Sequence, residues 1–279
     1  MAPASIPLVK PGQRPVWSQV LAMYEYDRAE PFAVEWLPNR DYYLGDVKLR
    51  GLAFQSGGST SLGWLALPEG EGPFPAVVYA PGTGDMGVVA DWKDVVVPLL
   101  EKGYAALLLD EGSDKIWRFD PQLAIRGWVD YAIQERRGVD YLETLPQIDA
   151  ERVGFAGFSS GAILGGLLGG VEPRFKALAL NGCNAAYAAE KQSQLPAGMT
   201  MAEYRAQMTL TDPTYYLTHN KQSVFFFTYG QDSDVAPIPL RKQVIAEVKP
   251  RATVYMHKGS HYPAADANRE ITAWFLENL

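Results

Sequence analysis

The stretch RVGFAGFSSGAILGGLLGG, residues 152–170, decides how the rest of the chain is read. It opens on a short apolar run, Val153 to Phe158, and passes through Gly157-Phe158-Ser159-Ser160-Gly161 into a small-residue helical pattern. The pentapeptide is G-x-S-x-G, the spacing of a nucleophile elbow. Its logic is steric. A serine on a tight strand-to-helix turn has a strained backbone, and the positions two before and two after it have no room for a side chain. Ser159 is thereby presented above a sheet, and the N-terminus of the following helix aims N–H groups at a developing oxyanion. A glycine turn of no chemical consequence is the alternative, and the flanking strand and helix patterns argue against it.

Outward from the elbow, strand and helix signals alternate from about residue 75 to the C-terminus. FPAVVYAPGTG (74–84) reads as a buried strand running into a Gly-rich loop. Trp92 to Lys102 is apolar at helical spacing, with Gly103 as its C-terminal cap. Tyr104 to Leu109 is a continuous apolar run, as in a strand covered on both faces. Gln122 to Leu145 is a long amphipathic helix with Gly138 as a candidate interruption. Beyond the elbow helix come strands at Phe175 to Leu180, Val224 to Tyr229 and Thr253 to Met256. Helices are expected at Leu240 to Val248 and Ala265 to Leu276. Before all of these, Val47 to Phe54 and Leu62 to Leu67 bracket QSGGSTS as an antiparallel hairpin. The expected fold is α/β, a mostly parallel doubly wound sheet with antiparallel N-terminal edge strands. Residues 1–45 read as an irregular arm with a short helix near Trp17 to Tyr24, and 46–279 as one domain. Within it, 182–222 breaks the alternation as a small lid insertion holding a short helix, Met201 to Met208.

A serine hydroxyl needs a base, and the chain has three histidines. His219 falls in the lid region and His257 ends a strand. His261 lies in HKGSHYPAA, a loop after the last strand that can carry an imidazole over the elbow, so His261 is the candidate base and His257 the alternative. The base in turn needs a carboxylate. The loop Gly230-Gln231-Asp232-Ser233-Asp234-Val235-Ala236-Pro237 supplies two. Asp232 is preferred because Asp-x-x-Val would tuck Val235 into the core, with Asp234 as the alternative. Either order, Ser159…Asp…His261, places each of the three groups at a strand end. Pro81-Gly82-Thr83-Gly84 would supply the second oxyanion donor, the Thr83 N–H, beside that of Ser160. A phosphate cradle is the rival reading of that loop, but neither G-x-x-x-x-G-K-[ST] nor G-x-G-x-x-G occurs.

Other features read as structural. Cys183 is alone, which excludes an intramolecular disulfide and a cysteine-based zinc site, and a lone cysteine is most often a small buried hydrophobe. The glycines of GAILGGLLGG suit close packing of a helix on the sheet. Asp110, Glu111 and Asp114 suggest a solvated loop more than a metal site, and no metal or cofactor is expected. The 279 residues carry a formal charge of −7, with no basic stripe to neutralise phosphates, which argues against nucleic acid. No apolar run reaches membrane-spanning length and none resembles a leader, so a cytoplasmic protein is expected, with a secreted chain lacking its leader as the alternative.

From about Val47 to the C-terminus the chain resembles the α/β-hydrolase superfamily, in particular its dienelactone hydrolase-like and acetyl-xylan-esterase-like branch. The resemblance rests on the hairpin with GWLALPEGEGPFPAVVYAPG, the elbow PQIDAERVGFAGFSSGA, the segment VEPRFKALAL and the final histidine loop. It implies a cofactor-free hydrolase of small-molecule carboxylic esters acting through an acyl-enzyme. Three departures stand out. APGTG replaces the HG-containing loop common in the branch. G-x-x-D spacing would put the acid at Ser233, between the two aspartates. Serine stands where dienelactone hydrolase itself has cysteine. A serine peptidase or amidase and a non-catalytic binding protein are the competing readings.

Overall fold

The apolar runs spaced along the chain become the strands of one large sheet. A computed structural model describes residues 5–83, 87–109, 113–184, 191–220, 223–233, 238–262 and 265–279. The N-terminal part contributes α1 (Trp17–Met23), β1 (Glu35–Trp36), β2 (Tyr42–Leu44), β3 (Val47–Ser56) and β4 (Ser59–Ala66). The alternating part follows with β5 (Phe74–Ala80), α2 (Gly87–Glu101), β6 (Ala105–Leu109), α3 (Ser113–Ile116), α4 (Pro121–Glu143), β7 (Ile148–Phe158), α5 (Ser160–Val171) and β8 (Phe175–Asn181). The rest is α6 (Met201–Met208), α7 (Pro213–Leu217), β9 (Val224–Gly230), α8 (Ile238–Val248), β10 (Ala252–His257) and α9 (Ala265–Asn278).

The strand order is β1-β3-β4-β6-β5-β7-β8-β9-β10, with β2 paired to β3 at the edge. From β6 onward every pairing is parallel, while β1, β2, β3 and β4 pair antiparallel. All five residues of β6 are buried, as are six of the seven in β5, because helices cover both faces. Alternation along β8 sorts the two cores: Leu178 and Leu180 join the cluster containing α4, α5 and α8 residues. Ala177 and Ala179 face the α2 and α9 cluster with Trp274 and Phe275.

Helix α4 begins where the Asp120 carboxylate accepts from the Gln122 and Leu123 N–H groups, with Pro121 as its first residue. It runs through Gly138 without a break. That glycine is a contact position, since a Cβ there would lie 3.0 Å from methyl groups of Leu107 and Leu109. Helix α5 is apolar on all sides because it is buried on all sides. Its glycines face neighbours in two directions: a Cβ on Gly165 would lie 2.6 Å from the Phe155 ring of β7, and one on Gly170 2.8 Å from the Tyr216 carbonyl oxygen of α7.

The arm is more regular than its composition suggests. β1 and β2 extend the sheet, which the sequence pattern did not reveal because two- and three-residue strands carry no periodicity. The arm is also bolted to α4: Arg136 donates to the Tyr24 carbonyl (2.6 Å), and the buried Arg137 donates to that of Glu30 (2.7 Å). Within 182–222, α6 and α7 pack down onto the core, with Tyr204, Met208, Tyr216 and Leu217 all buried.

Candidate active site

The tips of β5, β7, β8, β9 and β10 meet at one edge of the sheet. Strand β7 ends at Phe158, and Ser159 turns the chain into α5 with φ 52° and ψ −111°. A positive φ at a residue other than glycine costs on the order of 1–3 kcal/mol and persists only where the surroundings hold it. They do so here. The Ser159 N–H donates to the Asn181 carbonyl at the tip of β8 (2.9 Å), and its own carbonyl accepts the first helical bond, from Ile163 (3.0 Å). The flanking glycines are required by space. A Cβ on Gly157 would strike the Gly161 backbone, and one on Gly161 would strike the Ala80 carbonyl of β5.

His261 lies over this turn with Nε2 2.9 Å from Ser159 Oγ. Its loop is fastened along the neighbouring strand ends. Gln231 N–H donates to the His257 carbonyl and Asp232 N–H to that of Gly259, each at 2.9 Å. Two glycines admit the loop: a Cβ on Gly230 would collide with the Ser260 carbonyl, and one on Gly182 (φ 75°) would sit 2.7 Å from His261 Cε1. The Phe158 ring flanks the imidazole, centroids 5.0 Å apart, and reaches the exposed Tyr262 ring at 5.9 Å. Ser159 and His261 are both half-buried, so the pair is reachable from solvent.

Loop 81–83 after β5 lies against the elbow. The Pro81 carbonyl accepts from the Gly161 N–H (3.1 Å) and from Ser160 Oγ (3.4 Å), and a Cβ on Gly82 would lie 2.8 Å from the Phe158 ring. Ser160 is the first residue of α5, so its N–H has no acceptor within the helix. Thr83 is exposed, and its Oγ1 accepts from Trp117 Nε1 at 2.7 Å.

The structure therefore brings Ser159, Ser160, His261 and the loop carrying Thr83 together. The two candidate acids fare differently. Asp232 is exposed, and among the described residues its carboxylate makes no hydrogen bond to His261. Among the described residues, the Ser233 hydroxyl lies 3.5 Å from Nδ1, on a buried residue whose carbonyl accepts from Arg241 (3.0 Å). Asp234 lies outside the described residues, as do Asp110 and Glu111. His219 stacks on Trp17 (centroids 3.8 Å apart, interplanar angle 2°), and His257 is buried at the end of β10. Cys183 is fully buried, and burial pushes its thiol pKa well up, leaving a poor nucleophile.

Sequence reasoning gave no role to Phe158, Gly182, Gly230 or Trp117, and named Ser233 only as the position that G-x-x-D spacing points to. The two glycines carried a usable signal, since each follows an apolar strand directly. Trp117 carried none.

No family model matches the chain. Solved structures similar to it include the acetyl xylan esterase from Paenibacillus sp. R4 (TM-score 0.76, 16% identity, 94% of this chain and 93% of that one). Acetyl xylan esterase 1 from Thermoanaerobacterium sp. JW/SL YS485 is similar too (TM-score 0.73, 16% identity, 94% and 92%). The chain has the α/β-hydrolase fold. Both of those hydrolases belong to the branch that the sequence resembles. By sequence, the chain is similar to esterase FrsA of Klebsiella pneumoniae, 31% identical over 175 residues. That match takes in 58% of this chain and 40% of the relative, so the chain spans well under half of the curated relative it matches. Among the described residues, no helix is long and apolar enough to cross a membrane.

Proposed function

We propose that the chain is a serine hydrolase of small-molecule carboxylic esters that works through an acyl-enzyme. The observation that carries this reading is the 2.9 Å contact between Ser159 Oγ, on a positive-φ elbow, and His261 Nε2. Such a pair converts a weak nucleophile into a strong one, because the imidazole takes the hydroxyl proton as Oγ bonds to the ester carbonyl carbon. Negative charge then develops on the former carbonyl oxygen, where the N–H groups of Ser160 and Thr83 receive it. One such donor is worth about 10²- to 10³-fold in kcat. The protonated His261 returns the proton to the departing alcohol. Water next attacks the acyl-Ser159 carbonyl with His261 again as base, releasing the acid and restoring the serine.

The imidazolium formed on the way needs a carboxylate at Nδ1. The acid comes from the 231–237 loop. The exposure of Asp232 and the burial of Ser233 beside Nδ1 favour Asp234 over Asp232 for that role. The three similar proteins named above are called esterases, which favours esters over amides.

A fluorophosphonate probe followed by peptide mapping tests the reading. A single adduct on Ser159, lost in Ser159→Ala and His261→Ala, is expected. Ester turnover unchanged in Ser159→Ala would overturn the assignment. Matched ester and anilide substrates separate an esterase from an amidase.

A further inference from the structure

Thr83 is the one proposed oxyanion donor that no helix holds in place. It sits exposed on the loop beyond β5, and a main-chain N–H on such a loop turns easily away from the charge it should meet. Its hydroxyl, however, accepts a 2.7 Å hydrogen bond from the Trp117 indole N–H. Trp117 stands on firm ground. It follows α3, which packs so tightly on α4 that a Cβ on Gly127 would lie 2.5 Å from the Lys115 carbonyl oxygen. Its ring meets the fully buried Trp128 of α4 edge-to-face, centroids 5.9 Å apart at 84°.

We propose that Trp117 is a positioning residue that sets the turnover rate by holding the Thr83 N–H on the oxyanion. This rests on the reading of Ser159 as the nucleophile. Fixing Oγ1 fixes Cβ and hence the rotation of the adjoining N–Cα unit, so the indole works through Thr83 without touching the ester. The effect belongs to the transition state, because negative charge develops on the oxygen there and is absent from the bound ester. Loss of the anchor should therefore lower kcat and leave KM nearly alone.

Trp117→Phe keeps a ring against Trp128 and removes the donor; Thr83→Val keeps the backbone N–H and the shape and removes the acceptor. Each should lose about tenfold in kcat, or about 1.4 kcal/mol, with KM within about twofold. Each should also bind a trifluoromethyl ketone, which adds Ser159 Oγ and presents an oxyanion, about tenfold more weakly. The double variant should be no worse than either single one, because both remove the same bond. Multiplying losses in the double variant, a change confined to KM, or kcat within twofold of wild type in both single variants would overturn the proposal. Ser159→Ala is run alongside. An inactive Ser159→Ala with unimpaired Trp117→Phe overturns the role of Trp117 alone, whereas turnover retained in Ser159→Ala overturns the site as well.

Discussion

Gly182→Ala should separate catalysis from folding at a single methyl group. Gly182 follows β8 at φ 75°, and the new Cβ would lie 2.7 Å from His261 Cε1. Carbon atoms rest comfortably at about 3.5–4.0 Å, so the imidazole must retreat by roughly 1 Å. That retreat stretches the 2.9 Å contact with Ser159 Oγ beyond hydrogen-bonding range. A misplacement of about 1 Å in a reacting group can cost on the order of 10²-fold, which is the expected fall in kcat/KM. The positive φ adds a stability cost of about 1 kcal/mol for alanine in place of glycine. Gly103→Ala supplies the control, because Gly103 has nearly the same φ, 83°, with no atom within 4 Å of its Cβ position. Both variants should therefore lose similar stability in urea titrations, while only Gly182→Ala loses hydrolysis of p-nitrophenyl acetate. Activity in Gly182→Ala within threefold of Gly103→Ala would refute the claim that Gly182 makes room for the base.

Other consequences are equally direct. If Asp234 is the acid, Asp234→Ala should lower kcat by about 10³- to 10⁴-fold while Asp232→Ala stays within about threefold; the reverse order in initial-rate measurements would return the role to Asp232. Glu135 is fully buried in α4 with neither carboxylate oxygen hydrogen-bonded among the described residues, and burial raises its pKa well above the ordinary 4.5. The stability linked to its neutral form is present below that ordinary value and is lost as pH rises toward the raised one. Urea titrations between pH 4.5 and 8 should thus show Glu135→Gln gaining on wild type as pH increases, and a pH-independent difference would contradict the burial argument. Cys183 should resist iodoacetamide at pH 8 in the folded protein and react once it is unfolded in urea. Rapid alkylation of the native chain, read by mass spectrometry, would refute its burial.

The sequence carried most of the strand and helix plan because burial writes a pattern. Ala105–Leu109 reads as one apolar block because both its faces are covered, and Met201–Met208 stood out as a short helical segment amid loop residues. The edge strands Glu35–Trp36 and Tyr42–Leu44 left no such trace, being short and covered on one side at most. Gly138 misled in the opposite direction. In a helical pattern a glycine reads as a break, yet here it answers to the Leu107 and Leu109 methyl groups across the interface, which lie far away in sequence.

The candidate site residues divide along the same physical line. Ser159 is legible because its demands fall on residues two positions away, so Gly157 and Gly161 announce it locally. His261 is legible by elimination, as one of three histidines and the one in a loop after the last strand. The acid is not, because Asp232, Ser233 and Asp234 are consecutive, and which side chain turns toward Nδ1 depends on how the backbone leaves β9. That exit is set by Gly230, whose missing Cβ lets the Ser260 carbonyl pass, and by the bonds joining Gln231 to His257 and Asp232 to Gly259. These tie the acid loop to the base loop before any side chain is chosen. With the Asp232 N–H directed at the Gly259 carbonyl, its exposed side chain is left on the solvent side and Ser233 faces inward. Which side chain could serve as the acid is thus a property of two loops read together, whereas the candidate nucleophile is a property of five residues.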